Sequence, residues 1–283
     1  MSNREAGKPE VSSHLPQQVA ADLGNELLAL AHGIARKAGE LLVERPDAMS
    51  INQKSSARDF ATQMDHASEA LVVREILAAR PGDGIIGEED TARPSTSGIT
   101  WVIDPIDGTV NYFYDLPGWN ISIAAKDGDG VLMGLVYAPT INSLWYATRG
   151  GGAFKNGRPI SVNDPIPLSS ALIGTGFSYD PARRREQAAF ISGLIPKVRD
   201  IRRFGAAAVD ICHVATGSFD GYFERDLKEW DLAAATLICR EAGGVVTGLS
   251  GGEPNEEMTI AGGKALHAEL MAEIAAGAGA VAD

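Results

Sequence analysis

The sequence predicts an α+β fold, with an antiparallel sheet in its N-terminal half and an α/β arrangement in its C-terminal half. Three observations carry this reading. Two early segments place apolar residues every three or four positions, as amphipathic helices do. Four short apolar runs follow between residues 98 and 149, bounded by turn residues. From about residue 170, strand-like and helix-like segments alternate.

Residues 1–17 are polar and aperiodic, with Pro9 and Pro16, and are expected to form a mobile tail. Between 19 and 43, Leu23, Leu27, Leu30, Ile34, Ala38 and Leu41 mark one helical stripe, and Pro46 ends it. Segment 50–65 is polar and partly extended. A second helix is expected over 66–79, with Ala70, Leu71, Ile76 and Leu77 on one side and Pro81 as its stop. Strands are expected at 98–104, 121–126, 131–138 and 143–149. Asp127-Gly128-Asp129-Gly130 and Asn156-Gly157 are hairpin turns, and such short links imply antiparallel pairing. Beyond them, strands are predicted at 171–177, 201–204, 221–224 and 245–248, with helices at 184–195, 206–217 and 231–242. Gly150-Gly151-Gly152, Pro159, Pro165 and Pro167 mark the break between two expected subdomains, 18–160 and 161–283.

Composition narrows the function. The 283 residues carry 25 basic and 37 acidic side chains, a net charge of −12, with 45% hydrophobic and 22% charged residues. That is a globular balance, without the basic face that nucleic acid or an anionic membrane would need. No apolar window reaches membrane-spanning length and the N-terminus lacks a signal-peptide core, so a cytoplasmic protein is expected. Cys212 and Cys239 lie in apolar stretches and read as reduced, buried thiols.

The segment Trp101-Val102-Ile103-Asp104-Pro105-Ile106-Asp107-Gly108-Thr109 carries the sharpest chemical signal. An apolar strand runs into two carboxylates. Pro105 is expected to stop the strand and Gly108 to turn the chain, so that both acids face one point, as hard divalent cations require. The Gly108 and Thr109 amides, if they open a helix, would hold a phosphate oxygen. The plain alternative is a strand-ending turn. Glu88, between Gly87 and the acids Glu89 and Asp90, needs a nearby positive charge, whereas Asp90 reads as solvated. Asp231 and Asp65 each stand at a helix start, where a capping carboxylate is the ordinary explanation.

Together, Asp65, Gly87-Glu88-Glu89, Asp104-Pro105-Ile106-Asp107-Gly108-Thr109 and Trp230-Asp231-Leu232-Ala233-Ala234 resemble the inositol monophosphatase family of metal-dependent, lithium-sensitive phosphatases. Glu241-Ala242-Gly243-Gly244-Val245 fits the same pattern, and the resemblance spans roughly 20–275. It implies a layered αβαβα sugar-phosphatase fold, a homodimer, and two to three Mg²⁺ ions. Glu88, Asp104 and the Ile106 carbonyl would hold one ion; Asp104, Asp107 and Asp231 would hold a second; Glu88 would reach a third through water. Thr109 and Asp65 would orient the attacking water, with Glu89 supporting the cluster. Asp107, Gly108, Thr109 and Asp231 would meet the phosphate, and Gly205, Ala206, Ala207 and Glu224 the alcohol. Alanine at 206 replaces the hydroxyl residue common in relatives, and Asp226 and Glu229 replace the usual Gly and Pro. The implied substrate is a small phosphorylated polyol, foremost inositol monophosphate. Sister activities on fructose 1,6-bisphosphate, histidinol phosphate or adenosine 3′,5′-bisphosphate are the rivals, and an RNA- or transcription-complex partner role is the rival of another class.

Other signals are set aside. Gly82-Asp83-Gly84-Ile85-Ile86-Gly87 matches a dinucleotide fingerprint but follows a helix and enters a strand, the reverse of what that site needs. Asn120-Ile121-Ser122 is a glycosylation sequon without an export signal. The five histidines lack ligand spacing. Arg183-Arg184-Arg185 with Arg202-Arg203 reads as a solvated face.

Overall fold

The computed structural model describes residues 17–56 and 58–280; the tail expected over 1–17 lies outside them except for Gln17. The chain runs α1 (Gln17–Val43), β1 (Ile51–Ser56), β2 (Asp59–Thr62), α2 (Gln63–Ala79), β3 (Gly84–Gly87), β4 (Ala92–Arg93) and β5 (Thr100–Asp107). It continues through α3 (Thr109–Phe113), β6 (Asn120–Asp127), β7 (Gly130–Ala138), β8 (Ser143–Thr148), β9 (Ala153–Lys155) and β10 (Arg158–Pro159). The rest is β11 (Leu172–Thr175), α4 (Pro181–Leu194), β12 (Asp200–Arg202), α5 (Ala207–Ala215), β13 (Gly221–Glu224), α6 (Glu229–Glu241), β14 (Val245–Thr247), β15 (Thr259–Gly262) and α7 (Lys264–Ala280).

Two main sheets organise these elements. One has eight strands in the order β10-β9-β8-β7-β6-β5-β3-β4 and is antiparallel except where β3 lies beside β5. The other has five strands, β12-β11-β13-β15-β14, with β11 parallel to both neighbours. Alternation along the strands separates the layers. Trp101, Ile103, Ile121 and Ile123 face α1 and α2, while Val102 and Ala124 face α5 and α6. On the far side of α5 and α6 lie Tyr222, Val246 and Ala261 of the five-stranded sheet. Its outer face packs Ile173, Phe223 and Ile260 against Leu194 of α4 and Leu266, Leu270 and Ile274 of α7. The result is the five-layer αβαβα order. The middle layer is tight because both sides are small: a Cβ on Gly134 of β7 would meet the Ala234 backbone at 2.6 Å. Glu241, ending α6, accepts hydrogen bonds from the Gly150 and Gly152 amides at 2.8 and 2.9 Å, which ties the glycine run to the middle layer.

Four expectations are corrected. The strand does not stop at Pro105: β5 continues to Asp107 through a bulge in its pairing with β6, where Asp104 faces Ser122 and Asp107 faces Asn120. A bulge tolerates a residue with no amide hydrogen. α2 begins at Gln63 rather than 66, because the Thr62 side chain accepts from the Met64 amide and Asp65 accepts back from Thr62. α4 begins at Pro181 rather than 184, capped by Asp180, which accepts from the Ala182 amide at 2.9 Å. β15 and α7 were not expected, although Leu266, Leu270 and Ile274 have helical spacing. Cys212 and Cys239 are both buried and free, as expected.

Candidate metal centre and substrate cleft

The bulge in β5 is the origin of the site. Side chains three apart on a regular strand point to opposite faces, but one inserted residue restores a shared side. Asp104 and Asp107 therefore meet, and Asp231, in the first turn of α6, joins them across the layer. One carboxylate oxygen from each of the three lies within 4.8 Å of the others.

Each acid is held by its backbone surroundings. Asp104 accepts the Ile106 amide at 3.0 Å. Asp107 accepts from the Asn120 side chain at 2.8 Å and from the Ala207 and Ala208 amides at 3.1 and 2.8 Å, so the N-terminal end of α5 points at it. Asp231 accepts the Lys228 amide at 2.6 Å in a capping arrangement. The cap reading for Asp231 was thus correct, but the same carboxylate also faces the cluster. Burial, then neighbouring carboxylates, push Asp104 and Asp231 well above the usual carboxylate range. Burial also raises Asp107, against its hydrogen bonds from Asn120 and α5. Two buried carboxylates and one half-buried one, with oxygens this close, form a set suited to a hard divalent ion.

Glu88 stands outside this tight trio. It keeps hydrogen-bond contact with Asp104 while its Oε1 accepts from Lys54 at 2.9 Å. Burial lifts its carboxyl to about 7, against the opposing pull of Lys54. Lys54, on the β1–β2 hairpin, also reaches Glu89 at 2.6 Å, and His66 lies 3.5 Å from the same carboxylate. Burial opposes the Lys54 charge, but Glu88 and Glu89 outweigh it and hold its pKa above the ordinary lysine value. Glu69, fully inside α2, accepts the Glu89 amide at 2.9 Å and the Thr91 hydroxyl, fixing the loop that bears both acids. Sequence reasoning gave no role to Lys54, Glu69 or Asn120. The only available signal was an acidic run that needed a cation.

Asp65 sits behind the cluster. It accepts from the Thr62 amide and hydroxyl at 2.7 and 2.6 Å, and from the Thr109 hydroxyl at 3.0 Å. Gly108 turns the chain at φ 90° and caps α3, so the Thr109 amide does open a helix. Gly108, Thr109, Gly205, Ala207 and Glu224 line one cleft of about 270 Å³ with Glu88 and the trio. Ala206 does not line it: it is 2% exposed and packs on Gly108. Glu224 accepts the Tyr222 hydroxyl. Its carboxyl packs where Gly176 has no side chain, and burial raises it to about 7. Phe177, Tyr179 and Arg203, which the sequence reading did not select for the site, complete the rim.

Residues 24–278 match the family described as the inositol monophosphatase family. A Nus factor SuhB from Pasteurella multocida is 41% identical over 233 residues, covering 81% of this chain and 87% of the relative. The crystal structure of extragenic suppressor protein suhB from Bartonella henselae superposes with a TM-score of 0.83 at 32% identity, covering 88% of this chain and 98% of that one. A Thermotoga maritima IMPase gives the same TM-score at 30% identity, covering 90% and 99%. Among the described residues no helix is long and apolar enough to cross a membrane.

Proposed function

This chain belongs to the inositol monophosphatase family, and from that premise we propose that it hydrolyses a small sugar or polyol phosphate monoester. Inositol monophosphate, giving inositol and phosphate, is the substrate to which the family points. The observation that carries the reading is one cleft lined both by Asp104, Asp107 and Asp231, whose carboxylate oxygens cluster, and by Glu224. At about 270 Å³ the cleft suits a small ester.

Glu88, Asp104, the Ile106 carbonyl, Asp107 and Asp231 would hold two to three Mg²⁺ ions. When bound, these supply an activated water and offset the charge of the phosphate. The chain's own residues do the rest. Asp65 fixes the Thr109 hydroxyl, which orients the attacking water. The Gly108 turn and the Thr109 amide receive the phosphate at the start of α3. Glu89 holds Lys54 and steadies the loop that carries Glu88. Glu224 accepts hydrogen bonds from hydroxyls of the alcohol, with Gly205 and Ala207 as the wall beside it.

Inhibition by lithium, a cytoplasmic location and a homodimer belong to the same proposal. Exposed Tyr114, Leu116 and Phe204 support the dimer, and the Asn111 side chain ties α3 to the Phe204 carbonyl at 2.8 Å. A second reading, a partner role in a transcription complex, is favoured by the relative named as a Nus factor; the −12 charge directs it toward protein rather than RNA contact.

Phosphate release tests the main reading. Inositol 1-phosphate, fructose 1,6-bisphosphate, histidinol phosphate and adenosine 3′,5′-bisphosphate would be compared with Mg²⁺, with chelator and with lithium. Metal-dependent release that Asp104→Asn abolishes, in a variant of unchanged fold, is the expected result. A folded, Mg²⁺-treated protein that releases phosphate from none of them would move the transcription-partner reading to the front.

A further inference from the structure

The backbone before α6 holds a course that its own residue types do not make easy. Asp226 sits at φ 65°, in the left-handed region that glycine enters freely and other residues enter at a cost. Lys228 then caps α6, and Glu229 is its first helical residue, a place where proline would fix the backbone in advance. Asp226 and Glu229 stand where the family pattern has Gly and Pro, so this chain lacks both local devices. The segment is tied from outside instead. Asp226 pairs with Arg183 of α4 at 3.4 Å, and its amide donates to the Glu256 carbonyl at 2.7 Å. Lys228 pairs with the Glu256 carboxylate, on the loop between β14 and β15, at 2.7 Å. Glu229 accepts from Lys126 of β6. Three charged side chains on one short segment thus reach three different elements, and the Lys228 amide in their midst donates to Asp231 at 2.6 Å.

We propose that Lys126, Arg183 and Glu256 are positioning residues for the cation site. Through Glu229, Asp226 and Lys228 they fix where α6 begins, and so where the Asp231 carboxylate stands relative to Asp104 and Asp107. The proposal rests on the reading of that trio as a metal site and extends it to residues outside the cleft, since none of the three lines it. A ligand set must be held to within about 0.5 Å of its working geometry. Each pair is partly exposed, so its separate worth is small. All three nevertheless act on the same few residues, and a shift of those residues is a shift of Asp231.

Charge alone and positioning predict opposite signs. Lys126→Gln and Arg183→Gln each remove a positive charge from the neighbourhood of a cation site, which by charge alone tightens Mg²⁺ binding. Loss of positioning weakens it. Titration calorimetry of the full chain with Mg²⁺ at fixed ionic strength should show each Gln variant binding about threefold more weakly than the wild type, the scale of one exposed pair. Lys126→Arg, which keeps the pair, should bind as the wild type does. Hydrogen exchange in chelator should be faster over residues 225–232 in both Gln variants while α1 exchanges as before. Binding that is tighter or unchanged in both Gln variants, or unaltered exchange in this segment, overturns the proposal and leaves the cation site standing. A folded wild type that binds no Mg²⁺ overturns the cation site and the proposal with it.

Discussion

Replacing Asp231 with Asn removes one charge from the buried trio without removing its cap, because an amide oxygen can still accept the Lys228 amide. Two charged carboxylates no more than 4.8 Å apart repel by about 3 kcal/mol or more at the effective dielectric suited to protein interiors. The wild-type trio relieves part of this by holding protons. Asp231 is raised well above its ordinary range by burial first, then by Asp107 and Glu88. An acid whose folded pKa is raised contributes stability that is whole below the unfolded pKa, about 4, and is lost as pH climbs through the folded value. In chelator at pH 8, Asp231→Asn should therefore be more stable than the wild type by up to about 3 kcal/mol, or roughly 6 °C in Tm for a chain of this size. At pH 4 and below the two should converge. Added Mg²⁺ should raise the wild-type Tm by mass action on the native state and raise the variant's much less. Thermal unfolding by calorimetry at both pH values, with chelator and with millimolar Mg²⁺, reads all four cases. A variant less stable than the wild type in chelator at pH 8, with an undiminished Mg²⁺ response, would refute a cation-seeking trio.

Two further outcomes are expected. Glu69→Gln leaves one oxygen for the two donors that Glu69 now serves, the Glu89 amide and the Thr91 hydroxyl; loosening the loop beneath Glu88 should weaken Mg²⁺ binding about tenfold to a hundredfold, measured by titration calorimetry, and unchanged affinity would remove its positioning role. Glu224 is raised by burial to about 7, so it costs stability as pH rises from about 4.5 through 7. Glu224→Gln should flatten that part of the stability–pH curve and raise KM for a polyol phosphate more than it lowers kcat; an unaltered slope and KM would show Glu224 to be a solvated strand end.

Most of the helices and strands were legible in the sequence, because helix stripes and strand alternation depend on neighbours in the chain, whereas their layered order was implied by the family resemblance. Helix starts were misplaced where a cap decides them. Thr62 and Asp180 begin α2 and α4 three residues earlier than the apolar stripe alone indicates. The Asp104–Thr109 run was legible as a site only in company with the Glu88 and Asp231 motifs, since Asp, Pro and Gly by themselves also make an ordinary strand-ending turn. Its local geometry was not: Pro105 sits inside the strand, and the bulge rather than a stop turns Asp104 and Asp107 to one side.

Residue types and their local order were therefore determined by the sequence by itself: the acids, the glycine turn before α3, the amphipathic helices and the two reduced cysteines. Only the tertiary structure decided which of these meet. Asp231 reaches Asp104 because Gly134 and Ala234 let α6 approach the large sheet closely. Lys54 reaches Glu88 and Glu89 because the β1–β2 hairpin folds over the loop after β3. Asp107 meets the start of α5 across the same middle layer. Periodicity acts over a few residues, whereas convergence depends on strand register and on how closely layers pack, which no local pattern in the chain encodes.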